Sequence, residues 1–412
     1  MGDPRALRCV SCRTEYGPDE LEYTCPTCGP RRGTLEFLYD YDALRSELTR
    51  ERLAADGERS MWRYLPLLPI RDARFIQQLL VGWTPIYRAP ALGRELGFAE
   101  LLVKDDGRNP TASYKDRASS LVVIAAQEKG KEVVTCASTG NAASSLAGFA
   151  AATDLETVIF VPERAPEAKV AQLLIYGARV FVVRGSYDVA YDLAAEAADA
   201  FGWYNRSAAM NPYLVEGKKT GALELAEQLG WDLPDAVFVS VGDGSVISGV
   251  CKGFEEMRTL GWTDRVPAVI GVQAERSAPV ARSFDRFDGV TVEIDDGPAD
   301  TVADSICVGA PRDIVKAVTY VTRNGGRFVV VSDEEILDAI RVLARRTGVF
   351  AEPAGAAAFA GAARLARAGE LKEKRVAILV TGNGLKDVRA ARSAVGEPTV
   401  IDPVLARVEE AL

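Results

Sequence analysis

The chain has 412 residues, is 48% hydrophobic and 26% charged, and carries a formal charge of −9 with no histidine. It is long enough for two domains with an ordinary aqueous core. The acidic balance disfavours nucleic acid as a partner, and the missing imidazole excludes histidine triads, histidine metal sites and histidine pH switches. Proton transfer must therefore use lysine, carboxylates, tyrosine, cysteine or hydroxyls. No apolar stretch reaches the roughly 20 residues of a membrane span. The opening MGDPRALRCV has no signal-type apolar core. A cytoplasmic protein that acts on a small molecule, away from membranes, is expected.

The first segment holds Cys9, Cys12, Cys25 and Cys28 as CVSC and CPTC. Two such knuckles can bring four thiolates tetrahedrally onto one Zn²⁺, and disulfides are disfavoured in a cytoplasmic chain. Residues 1–33 carry five arginines against five acids, so a packing role is expected for this ribbon rather than nucleic-acid binding. Cys136, Cys251 and Cys307 are scattered among apolar neighbours and read as core.

Beyond residue 95 strand-like apolar runs alternate with helical patterns. The predicted strands are 101–105, 132–137, 157–161, 179–183, 236–241, 268–274, 326–331 and 375–380. Helices are predicted over 216–230 and 333–348, the second opened by Ser332 and Glu335 as a capping box. Such alternation implies parallel sheets covered on both faces, and eight strands suggest two α/β units.

Ligands of open α/β sheets bind beyond the carboxyl ends of strands, and four loops there are unusual. NPTASYKDR places Lys115 where loop becomes helix. The positive helix start disfavours an ammonium, and a lysine of lowered basicity can condense with an aldehyde. CASTGNAASS presents Ser138, Thr139, Gly140 and Asn141 at a helix start, where backbone N–H groups can hold a carboxylate. VSVGDGSVISGV sets Gly242, Gly244 and Gly249 beside serines in a loop whose N–H groups and hydroxyls can wrap a phosphate, with Asp243 expected to point outward and bond its own turn. LVTGNGLKD ends a strand with Thr381. Taken singly, each loop suits a plain capped helix or tight turn equally well.

The four loops in this order resemble fold-type II pyridoxal-phosphate (PLP) enzymes, and among them threonine synthases. The resemblance rests on NPTASYKDR, ASTGN, VSDEEI…GVFAEPAGAAA and TGNGLKD, spans about residues 80–390, and extends to members with an N-terminal zinc ribbon. It implies a two-domain α/β fold of the tryptophan synthase β type. The boundaries would be a ribbon and linker over 1–45, a large PLP domain over 46–119 plus 215–412, and a small domain over 120–214. It implies that Lys115 holds PLP and afterwards shuttles protons. Asn141 would meet the ring hydroxyl and Thr381 the ring nitrogen. Gly242, Asp243, Gly244 and Ser245 would lie at the cofactor phosphate, with Ser138, Thr139, Gly140 and Arg206 on the substrate. A homodimer is expected.

The implied reaction is elimination or replacement on an amino acid, foremost O-phosphohomoserine plus water to threonine plus phosphate. The alternative is a threonine/serine ammonia-lyase or a β-replacement synthase on a (phospho)hydroxy-amino acid. Departures from the family pattern bear on the substrate. Leu214 stands where an arginine is usual, a loss of ~1.5–3 kcal/mol for a phosphate unless Arg206, Lys218 or Lys219 compensates. Asn383 stands for a histidine, Tyr114 for a phenylalanine, and Asp304 for a neutral residue.

Overall fold

The computed structural model describes residues 2–412 except 164, 166 and 186. The valine- and isoleucine-rich runs form strands because β-branched side chains fit a pleat that is buried on both faces, the edge run 179–183 alone among the eight staying largely open to solvent. All eight predicted strands are present, each within one residue at either end. The small sheet is β6 (Val133–Ala137), β7 (Glu156–Pro162), β8 (Arg179–Val183) and β9 (Tyr204–Asn205), parallel and ordered β8-β7-β6-β9. The large sheet is built from β4 (Ile86–Arg88), β5 (Glu100–Asp105), β10 (Ala236–Ser240), β11 (Ala268–Ala274), β12 (Arg327–Val331) and β13 (Arg375–Val380). Its order is β12-β11-β10-β13-β5-β4, with β4 the one antiparallel edge. β4 and β9 escaped the sequence reading because runs of three and two residues carry no periodic signal.

The predicted capping box at Ser332 and Glu335 is formed, and its helix runs Asp333–Thr347. The alanine-rich helix Pro353–Arg367 is almost wholly buried beside β10 and β13, small side chains letting it approach the sheet closely. No helix is long and apolar enough to cross a membrane among the described residues.

Two buried ionic quartets, each neutral by formal charge, lock the helices near the sheet ends. In the first, Arg117 meets Asp106 and Glu224 at 2.6 Å each, and Lys104 meets Glu224 at 3.0 Å. It ties the helix Lys115–Glu128 to the helix Tyr213–Gln228. In the second, Lys219 bridges Glu216 (2.6 Å) and Glu256 (2.7 Å), and Lys252 pairs with Glu216. Tyr39 and Tyr41 donate to Glu216 and Glu256, so this quartet binds the N-terminal segment to the helix Ser245–Thr259.

The N-terminal ribbon is a three-stranded antiparallel sheet of β1 (Ala6–Cys9), β2 (Glu15–Tyr16) and β3 (Leu35–Leu38). It docks on the body just after its second knuckle. Arg31 takes both oxygens of Asp296 at 2.9 and 2.7 Å, Arg32 reaches the Val292 carbonyl at 3.1 Å, and Lys316 donates to the Leu35 carbonyl at 2.8 Å.

Candidate active site

The loops after β5, β6, β10 and β13 open on one cleft of about 690 Å³. Lys115, the Ser138–Asn141 turn, Arg206, the Gly242–Ser245 loop and Thr381 all line it. The sequence readings of these loops thus converge in space, although they come from segments separated by up to 266 residues (115 to 381).

Lys115 opens its helix at the end of a tightly held loop. The Asp116 carboxylate accepts the Thr111 N–H at 2.7 Å, and Ala112 is left-handed, with φ 65°. A non-glycine residue in that region is strained and persists because its surroundings hold it. Here the Tyr114 N–H donates to the Thr381 carbonyl (2.9 Å) and the Asn383 N–H to the Ala112 carbonyl (3.1 Å), so the lysine loop is stitched to the end of β13. The Tyr114 hydroxyl donates to the Lys218 carbonyl at 2.6 Å, which is possible because a Cβ at Gly221 would collide with it. The Lys115 Nζ makes no hydrogen bond or ion pair with the described residues. Desolvation first, then Arg206, push its pKa down.

Two helix starts face the same cleft without side-chain caps. The helix Asn141–Ala150 begins behind Gly140, whose N–H donates to Ser138 Oγ at 3.1 Å. Asn141 donates through Nδ2 to Glu352 Oε1 at 2.7 Å, and among the described residues its other amide hydrogen and its side-chain carbonyl oxygen have no partner. Burial raises the pKa of Glu352. The helix Ser245–Thr259 begins behind Gly244, with φ 99°. A Cβ there would lie 2.8 Å from Ala317 Cβ and 3.0 Å from the Asp313 carbonyl, so only glycine fits. Asp243 departs from expectation: its carboxylate accepts the Arg312 N–H at 3.2 Å and thus bonds a distant segment rather than its own turn.

Arg206 is 2% exposed. Its Nε donates to Ser119 Oγ at 3.3 Å, and Nη2 has no hydrogen-bond partner among the described residues. Lys218 is also buried, with Nζ 2.6 Å from Ser245 Oγ. Leu214 and Lys219 do not reach the cleft. Leu214 is fully buried in the apolar core, and Lys219 belongs to the second ionic quartet. Asp304 lies on the rim and pairs with Lys169.

A family model described as "Pyridoxal-phosphate dependent enzyme" matches residues 77–382. The chain belongs to the pyridoxal-phosphate dependent enzymes. Within them it is 39% identical to the threonine synthase of Methanocaldococcus jannaschii over 397 residues, 96% of each chain. It is 36% identical to that of Methanosarcina acetivorans over 409 residues, 98% of each chain. Among solved structures the diaminopropionate ammonia lyase of Escherichia coli matches with a TM-score of 0.65 at 18% identity, over 80% of this chain and 94% of that one. That likeness is one of fold, the fold-type II arrangement.

The residues of this pyridoxal-phosphate dependent enzyme fit the cofactor its family takes. An uncommitted lysine of lowered pKa and an uncapped helix start behind an obligate glycine share one cleft, suiting an aldehyde and a phosphate. Glu352 was not singled out from the sequence. Its signal there is an acid immediately before Pro353, at the head of a helix otherwise without polar side chains over 353–363. In the ribbon the four cysteine sulfurs lie within 4.8 Å of one another, unlinked. Zn–S bonds of about 2.3 Å set tetrahedral sulfurs about 3.8 Å apart, and Cys12 and Cys25 are 3.8 Å apart.

Proposed function

We propose that this enzyme is a threonine synthase that takes O-phosphohomoserine and water to threonine and phosphate. The observation that carries the choice of a phosphorylated substrate is Arg206. A guanidinium with a bare Nη2, buried beside Lys115, is costly unless an anion meets it. A neutral substrate such as serine or threonine brings only its carboxylate, and the Ser138–Gly140 turn with its uncapped helix start already suits that group.

Pyridoxal phosphate, when bound, draws electrons from the substrate's Cα so that a proton can leave it. Lys115 is the residue placed to carry the cofactor and, once its amine is free, to move protons to and from the substrate carbons. Its lowered pKa keeps more of the amine unprotonated near neutrality than an ordinary lysine would. Asn141, oriented by Glu352, meets the ring hydroxyl. Gly242, Asp243, Gly244 and Ser245 form the loop at the cofactor phosphate. Thr381 meets the ring nitrogen with a neutral hydroxyl, which does not favour its protonation and so favours elimination and replacement over transamination. Ser138, Thr139 and Gly140 hold the substrate carboxylate, and Arg206 holds the departing phosphate. Cys9, Cys12, Cys25 and Cys28 hold one structural Zn²⁺.

The test sets release of phosphate and threonine against release of ammonia and keto acid on the same preparation. The reading expects the first pair to dominate and Arg206→Ala to raise KM for O-phosphohomoserine about 10- to 100-fold. Dominant ammonia release, unchanged by Arg206→Ala, would remove it. Borohydride should fix the cofactor to Lys115, and a reduced adduct at Lys104 or Lys218 would overturn that assignment.

A further inference from the structure

The buried lysines of the body are not equivalent. Lys104, Lys219, Lys252 and Lys316 each have a carboxylate within 4.0 Å. Lys218 is as deeply buried, at 2% exposed, and among the described residues the one hydrogen bond of its Nζ is to the neutral hydroxyl of Ser245, at 2.6 Å. An ammonium has three donors, so two remain uncommitted. Burying such a charge without an anion is costly, and the cost is relieved only by pairing or by loss of the proton. Its pKa is accordingly driven well down, by desolvation first, then by Lys115 and Arg206.

The placement says which anion would relieve it. Ser245 is the first residue of a 15-residue helix whose start carries no side-chain cap, and Gly244 before it is left-handed. The nearby carboxylates do not pair with it: Asp243 accepts the Arg312 N–H, and Asp313, 3.6 Å from Lys316 with neither oxygen hydrogen-bonded, makes no ion pair with Lys218 among the described residues. Lys218 itself is held from behind, since its own carbonyl takes the Tyr114 hydroxyl one residue before Lys115. The side chain therefore reaches the loop after β10 from the opposite helix, and it lines the cleft there.

We propose that Lys218 is a direct charged ligand of the cofactor phosphate, completing with Ser245 and the helix start a cradle in which one ammonium offsets the phosphate dianion. Arg206 is thereby left to the substrate's phosphate, and the two buried cations serve two different anions. This rests on the cofactor reading of Lys115, and the experiment below separates the two.

Cofactor-free protein is titrated with pyridoxal phosphate and with pyridoxal, which lacks the phosphate, and binding is read from absorbance. Lys218→Gln should weaken pyridoxal phosphate about 10- to 100-fold and leave pyridoxal unchanged, while Lys218→Arg keeps most of the difference between the two. Ser245→Ala, which removes the partner hydroxyl and not the charge, should give a smaller loss, again confined to pyridoxal phosphate. An equal loss for both compounds, or none, overturns the proposal. Should Lys218→Gln not fold, Ser245→Ala decides: equal weakening of both compounds there also overturns it. Failure of the unaltered protein to take up either compound refutes the cofactor reading instead.

Discussion

A buried cation is costly without a partner, and Arg206, Lys218 and Lys219 differ in the partners they have. The resemblance marks Leu214 as a lost arginine, yet the side chain lies in the core and never meets the cleft. The three cations named as replacements part company in space: Arg206 and Lys218 line the cleft, and Lys219 is consumed by Glu216 and Glu256. Lys219→Met should therefore cost folding stability and leave KM for the substrate unchanged in the surviving protein, which a denaturant curve beside a rate assay will decide. Lys115 gives a sharper prediction. Attachment of an aldehyde needs the free amine, and the amine's pKa is lowered. The rate of colour development on adding pyridoxal phosphate to cofactor-free protein should level off at a lower pH than for an exposed lysine. A rate still climbing into the ordinary lysine range would contradict the geometry. Lys115 was legible because its signal is local, a small-residue loop running into a helix. The orientation of Asn141 was not, because its partner Glu352 lies 211 residues away.

Among the elements, the helix Lys115–Glu128 depends on charges beneath it. Arg117 is fully buried between Asp106 and Glu224, and removing one member of such a set strands the others without partners or water. Arg117→Met should cost roughly 3–5 kcal/mol of stability, read as a shift in the denaturation midpoint. The same set predicts an acid limit. Burial alone would raise the Glu224 pKa, but Arg117 and Lys104 bring it down to about 2. A folded pKa below the unfolded value of about 4.3 contributes stability above pH 4.3 that drains away as pH falls toward 2. Glu224→Gln should flatten that part of the stability–pH curve. The strands were legible from composition and the capped helix from Ser332 and Glu335. The quartets were not, since their members are ordinary charged residues in sequence. Only the packing of helix on helix, with the end of β5 added in the first quartet, makes them neighbours.

At the scale of the molecule the ribbon is closer to the chemistry than a detached zinc module would be. Arg31 grips Asp296 and Arg32 grips the Val292 carbonyl, and Asp296 itself lines the cleft. Arg31→Ala, or chelation of the zinc proposed for the four cysteines, should increase hydrogen exchange across 290–300 and raise KM. Unchanged exchange in that segment would show the ribbon to be mere ballast. The ribbon was legible from cysteine spacing, whereas its docking was not, because the segment it holds has little regular structure to announce it. The strand order carries a different consequence, for the order of synthesis. β13 lies between β10 and β5, yet it is the last of this sheet's strands in chain order and so leaves the ribosome after them. A nascent chain that stops short of Arg375 holds β12-β11-β10 and β5-β4 as two unjoined pieces, each with an open edge that invites wrong pairing. The strand that closes the seam also delivers Thr381 and the partners of the lysine loop. Chains stalled at residue 370 should therefore bind chaperone and take up no cofactor, and cofactor capture during translation should begin only once that strand has emerged.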